Sequence, residues 1–194
     1  MVRVAILGDI GSGKTFVANQ FKCPLFNADK EVSNIYKKDR SCFLKIKKIL
    51  PKYIISNFLD KKHLLNAILD DKKNLNKISK IVHPIVRRRM NKFLIRNRFR
   101  KMVILDIPLY LENKLNKKGD VLIFVDAKKK DIQKITNKRK NFSKKLLNNL
   151  KSLQLPLKKK KKLSHYVIKN TFNAFKIKKE VKNIKYQILN TWKK

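Results

Sequence analysis

The amino-acid sequence predicts an α/β fold: a parallel five-stranded sheet flanked by helices, with a helical insertion and a helical lid. Three observations lead there. Short apolar runs recur along the chain, and each closes on a polar residue. Stretches with helical spacing of apolar residues separate these runs. Three of the four glycines fall together between the first run and the first helical stretch.

The first element is the run Val2, Val4, Ala5, Ile6 and Leu7, the pattern of a buried parallel strand. Gly8-Asp9-Ile10-Gly11-Ser12-Gly13-Lys14-Thr15 follows and matches G-x-x-x-x-G-K-[ST] throughout. Val17, Ala18 and Phe21 then recur at helical spacing. Strand, glycine loop and helix in that order form a P-loop unit, which narrows the class to the P-loop NTPase fold. Backbone N–H groups in such a loop converge on one place and favour an anion. The expected ATP-binding residues are therefore Gly8, Ile10, Gly11, Ser12, Gly13, Lys14, Thr15 and Phe16. Lys14 reaches the β- and γ-phosphates, the Thr15 hydroxyl suits Mg²⁺, and the Phe16 N–H reaches the α-phosphate. A glycine turn that binds nothing would leave the agreement of strand, loop and helix unexplained.

Pro24–Ala28 reads as a second strand. Asp29 opens the next helix, whose stripe is Val32, Ile35 and Tyr36, so it is either an N-cap or a functional acid. Apolar residues from Phe43 to Leu69 are divided by Pro51 into short amphipathic helices. From Ile78 to Leu94 the pattern continues, and Pro84 is expected to break it, with a new helix starting beside His83. Met102–Ile107 is a strand with Asp106 at its C-terminal edge, and Val121–Asp126 and Tyr166–Asn170 repeat that design. Ligands of parallel sheets bind at the carboxyl ends of strands, where Gly8, Asp29, Asp106, Asp126 and Asn170 fall. Residues 128–163 suggest two polar helices, near Ile132–Lys138 and Ser143–Gln154, then five consecutive lysines, Lys158–Lys162. They read either as a basic flap over the loop or as a solvated charged face. The expected division is a nucleotide-binding core (1–36, 100–126 and 164–194), a helical substrate region (37–99) and a basic lid (127–163).

Composition bounds the partners. The chain has 194 residues and a net charge of +38, carried by 42 Lys but only 9 Arg. Asn (19) and Ile (21) are also abundant, while Ala (6) is scarce. That joint skew is what AT-rich codons produce, so the charge alone does not imply a nucleic-acid partner. No aromatic residues interleave with the Lys158–Lys162 run to form stacking platforms, which argues further against RNA. Cys23 and Cys42 have no metal-ligand spacing and read as idle thiols in a reducing compartment. No apolar run approaches the ~18 residues of a membrane span. The start MVRVAILGDIG is not a secretory signal, so a cytoplasmic protein with no membrane partner is expected.

With these residues in place, the chain resembles the dephospho-CoA kinase family nearly end to end. Gly8–Thr15 is similar to the family's GGIGSGKS loop, with Asp9 in place of a glycine. Asn27-Ala28-Asp29 resembles its D-A-D and keeps the last acid. His83-Pro84 matches its H-P, and Asp106-Ile107-Pro108-Leu109-Tyr110-Leu111-Glu112 is similar to D-I-P-L-L-F-E. Arg139, Gln154 and Val167-Ile168-Lys169-Asn170 keep the spacing of the family's lid arginine, glutamine and V-I-x-N strand. The chain departs from the pattern at Lys61, Leu65, Ile135 and Ser164-His165. The resemblance implies transfer of the ATP γ-phosphoryl group to the ribose 3′-hydroxyl of dephospho-CoA. It implies Asp29, Lys14 and Arg139 as catalytic residues and Asn170 near the adenine. His83, Arg87, Asp106 and Glu112 are expected at the substrate, with Glu112 alternatively at the base of the flap. Asp106 would also hold Mg²⁺ through water, or simply cap a loop. Arg88 and Arg89 follow Arg87, and three successive positions cannot face one way. A monomer is expected. The rival readings are another P-loop small-molecule or nucleoside monophosphate kinase, a basic NTP-dependent RNA-binding protein, and a non-catalytic nucleotide binder. Intact Gly13-Lys14-Thr15 and Asp29 speak against the last.

Overall fold

The computed structural model describes residues 1–137 and 144–192. Its strands are β1 (Val2–Gly8), β2 (Leu25–Asn27), β3 (Met102–Asp106), β4 (Val121–Ala127) and β5 (Tyr166–Asn170). They form one sheet in the order β2-β3-β1-β4-β5, and every pairing is parallel. The helices are α1 (Lys14–Gln20), α2 (Ala28–Lys38), α3 (Arg40–Ile49), α4 (Lys61–Asp70) and α5 (Lys73–Arg96). After β4 come α6 (Lys129–Asn137), α7 (Lys144–Lys151) and α8 (Leu157–Lys162), and α9 (Ala174–Thr191) follows β5. The expected P-loop α/β architecture is therefore present.

Two compact units divide the chain: Met1–Asn27 with Arg96–Lys194, and Ala28–Ile95. In the first, both faces of the sheet are apolar because parallel strands are covered on both sides. Val4, Ile6, Ile104, Ile123, Val125 and Ile168 pack there with Val17, Ala18 and Phe21 of α1 and with Ile177, Val181, Ile184 and Ile188 of α9. The last four recur at helical spacing, which puts them on one stripe. Lys185 Nζ also donates to Phe21 O at 2.7 Å, placing a cation on the C-terminal carbonyls of α1.

The second unit is all helix. Ile35 of α2 packs with Cys42, Phe43 and Ile46 of α3 and with Leu64, Ala67, Ile78 and Val82. Residues 28–36, expected with the nucleotide-binding core, belong here because their apolar stripe meets these helices. The break expected at Pro84 does not occur, since Pro84 lies inside α5. Proline removes one helical hydrogen bond. Ile78 and Val82 before it and Ile85 and Val86 after it nevertheless join one packed cluster, which carries the helix through. Cys42 is fully buried, and burial pushes its thiol up to about 11, which keeps it protonated and inert.

The basic stretch forms three helices where two were expected. The five lysines become α8, and one of them, Lys160, is completely buried while the other four are exposed. Neither a uniform flap nor a uniform solvated face describes that run. Among the described residues, no helix is long and apolar enough to cross a membrane.

Candidate active site at the end of the central strand

β1 is flanked by β3 and β4. The chain leaving β1 goes to β2 on one side, and the chain leaving β3 goes to β4 on the other. The strand order thus reverses between β1 and β3, and ligands of open α/β sheets bind outside the carboxyl ends at such a point. The residues there are the glycine loop and Asp106.

The loop needs its glycines for different reasons. Gly11 (φ 84°) and Gly13 (φ 85°) hold left-handed conformations that side chains resist. A Cβ on Gly13 would lie 2.3 Å from Asn170 Nδ2, and one on Gly11 2.8 Å from a Thr136 methyl. Gly13 caps α1, so the first free N–H groups of that helix belong to the loop. Asp9 Oδ1 accepts from the Ile10 N–H at 2.7 Å, so the acid standing in for a glycine stiffens the turn. Ser12 Oγ is buried without a hydrogen-bond partner among the described residues. A loop with left-handed glycines, a helix N-terminus and an orphaned buried hydroxyl fits a phosphate chain.

Lys14 is largely buried, and its Nζ donates to Asp9 O at 2.7 Å and to Gly8 O at 3.3 Å. Thr15 Oγ1 donates to Asp106 Oδ2 at 2.6 Å. Asn27 Nδ2 donates to the same oxygen, also at 2.6 Å. Asp106 is only 3 % exposed, so these donors replace the water it has lost. Sequence alone gave Asn27 no part in the site. Here β2 pairs with β3 in a register that sets Asn27 opposite Asp106.

Asn170, expected near the adenine, turns inward. Its Nδ2 donates to Ser12 O at 2.8 Å, its Oδ1 accepts from Phe172 N at 2.8 Å, and it is 2 % exposed. Its side chain braces the loop from below. Glu112, expected at the substrate, is likewise occupied. Its Oε1 meets Lys160 Nζ at 2.7 Å and accepts from Leu155 N at 2.9 Å, which is the flap-base alternative. A cleft beside the loop is lined by Asp9, Lys129, Lys151, Gln154, Leu155 and Pro156. Arg139 lies outside the described residues.

In the helical unit, Asp29 sits in the first turn of α2, second residue of the helix and two beyond Asn27 in the chain. The N-cap position therefore precedes it. His83 and Arg87 are i and i+4 on α5 and share a face. Burial, then the Arg87 charge, lowers the His83 pKa below its usual 6.5. Arg89 pairs with Glu31 at 3.0 Å, which leaves Arg87 and Arg88 as the exposed arginines of that run.

A polar cluster that the sequence reading missed lies under the segment after β3. Arg3 Nε meets Asp120 Oδ1 at 3.1 Å, and Arg3 donates to the Tyr110 hydroxyl at 2.7 Å. That hydroxyl donates to Asp120 Oδ2 at 2.6 Å, and Tyr110 is fully buried. Burial and the Asp120 bond push the phenol pKa well up, so it stays protonated and donating. No local signal pairs Arg3 with residues more than a hundred positions away.

The CoaE family model, described as dephospho-CoA kinase, matches residues 2–175. The chain belongs to the dephospho-CoA kinase family. A dephospho-CoA kinase of Wolbachia pipientis wMel is 31 % identical over 186 residues, covering 93 % of this chain and 95 % of that one. The solved Thermus thermophilus protein TT1252 shares the fold, with a TM-score of 0.78 at 23 % identity over 96 % of this chain and 97 % of that one. Dephospho-CoA kinase from Campylobacter jejuni does so with a TM-score of 0.65 at 19 % identity, covering 96 % of each chain. The family's activity, ATP-dependent phosphorylation of dephospho-CoA in coenzyme A biosynthesis, is the activity of this chain.

Proposed function

We propose that this kinase phosphorylates the ribose 3′-hydroxyl of dephospho-CoA, the final step of coenzyme A biosynthesis, as a cytoplasmic monomer using Mg²⁺. The observation that carries the residue roles is the 2.6 Å contact between Thr15 Oγ1 and Asp106 Oδ2 at the strand-order reversal. A hydroxyl and a carboxylate at the mouth of a phosphate loop are the hard oxygen donors that suit Mg²⁺. Thr15 would hold the ion directly and Asp106 through water. When bound, the ion neutralises phosphate charge.

The chain's own groups do the rest. The loop N–H groups bind the phosphates, and Lys14 swings from the Asp9 and Gly8 carbonyls onto the phosphate oxygens. Asp29 orients the 3′-hydroxyl and accepts its proton. Arg139 adds a bidentate cation where negative charge builds up during transfer. His83 and Arg87, on one face of α5, receive an anionic part of dephospho-CoA. The test is purified protein with Mg·ATP and a panel of dephospho-CoA, AMP, CMP and water, with products read by mass. Gain of one phosphoryl group by dephospho-CoA alone is expected, and transfer to AMP or CMP instead would overturn the substrate assignment.

A further inference from the structure

Lys160 is 0 % exposed, and its ammonium meets Glu112 Oε1 at 2.7 Å. Glu112 is itself 10 % exposed, and its second oxygen is buried with no hydrogen-bond partner among the described residues. A buried ion pair is a poor source of stability, because desolvation of both charges offsets their attraction. The pair therefore invites a reason other than stability.

Its surroundings supply one. Oε1 of Glu112 also accepts the Leu155 N–H, so one oxygen pins the chain at residue 155 and again at residue 160. Between these points runs Pro156–Lys159, which enters α8, and α8 packs on β1, the strand that leads into the glycine loop. Gln154, Leu155 and Pro156 line a cleft together with Asp9 of the loop. Glu112 is itself tied into the fold through its own segment. It ends the segment that starts at Asp106, and Tyr110 within that segment is bolted to Arg3 and Asp120. The chain from Asp106 to Glu112 thus links the Thr15–Asp106 pair to the residues that line the cleft.

We infer that Glu112 and Lys160 are positioning residues for phosphoryl transfer, which fix the 154–157 wall against the phosphate loop. The inference rests on the kinase reading above. It distinguishes Lys160 from its four neighbours: they are exposed, and one of them, Lys161, pairs at the surface with Asp126 at 2.7 Å.

The experiment uses two charge-free double variants of the full chain, which avoid leaving one buried charge alone. Glu112→Gln with Lys160→Met keeps an oxygen for the Leu155 N–H. Glu112→Met with Lys160→Met removes it. Melting temperature, ATP Kd without acceptor, kcat, and hydrogen exchange at Leu155 are measured for both and for wild type. The expected result is that both fold and bind ATP within about threefold of wild type, because the loop is untouched. The Met/Met protein loses Leu155 protection and about tenfold or more in kcat, in keeping with the up to ~10²-fold cost of a ~1 Å misplacement. The Gln/Met protein recovers most of both. Wild-type kcat in the Met/Met protein despite lost Leu155 protection would overturn the inference and leave the kinase reading intact. Equal kcat losses in both proteins, tracking their melting temperatures, would also overturn it by making the pair structural only. Wild-type protein inactive on dephospho-CoA would overturn the kinase reading itself, and the inference with it.

Discussion

Replacing Asn170 by Asp tests whether that side chain braces the loop or serves the nucleotide. Asn170 Nδ2 donates to Ser12 O at 2.8 Å from a site 2 % exposed. Aspartate keeps the oxygen that accepts from Phe172 N, but sets a second acceptor against the Ser12 carbonyl. One hydrogen bond of about 0.5–1.5 kcal/mol is lost, and an unsatisfied buried carbonyl adds about 1–3 kcal/mol. A destabilisation of roughly 2–4 kcal/mol at neutral pH corresponds to a fall in Tm of roughly 5–15 °C for a chain of this size. The sign with pH is fixed. Protonated, the new carboxyl donates to Ser12 O and restores the bond, so its folded pKa lies above the unfolded value of about 3.9. The loss is therefore absent below about pH 4 and grows by about 1.4 kcal/mol per pH unit until the folded pKa is passed. Calorimetric melts from pH 4 to pH 8 measure it directly. A Tm equal to wild type at pH 8 would refute the brace. An unchanged Tm with a large loss of ATP affinity would return Asn170 to the nucleotide.

The site fixes the remaining outcomes. Asp29→Asn should lower kcat by roughly 10²-fold or more with little change in ATP affinity, the range of an acid–base residue; intact turnover with a lowered Tm would make Asp29 a helix-end charge only. Arg139→Ala should cost about 10²-fold in kcat. Replacing Lys158, Lys159, Lys161 and Lys162 together by Gln should change kcat by only a few-fold, with any rise in KM shrinking at high salt; equal large losses in the two proteins would make the exposed lysines catalytic. His83 should titrate below 6.5 by NMR, so that whatever stability its neutral form contributes is held above pH 6.5 and lost as pH falls through the folded pKa. Because burial is the larger cause, Arg87→Gln should raise that pKa only part of the way, and full recovery to 6.5 would refute the order of causes.

The elements legible in the sequence are those whose cause is local. Val2–Gly8, Met102–Asp106 and Val121–Ala127 are continuous apolar runs, and such runs become buried parallel strands wherever helices cover both faces. The glycine loop is legible because its backbone conformation requires its own residues. Elements decided by distant contacts were not legible. Pro84 signals a break, yet packing by Ile78, Val82 and Ile85 overrides it. Lys160 is one of five identical neighbours, and only its carboxylate partner on another segment marks it out. Asn170 ends its strand as expected, but its amide points where Ser12, far away in the chain, offers a carbonyl.

The support beneath the glycine loop has a consequence for synthesis. The loop at Gly8–Thr15 is synthesised well before its brace Asn170, the lysine that caps its helix and the apolar stripe of α9. A nascent chain that stops before residue 166 exposes Val17, Ala18 and Phe21, which the finished protein covers with Ile177, Val181 and Ile184. The loop is therefore fully braced only after translation has passed α9.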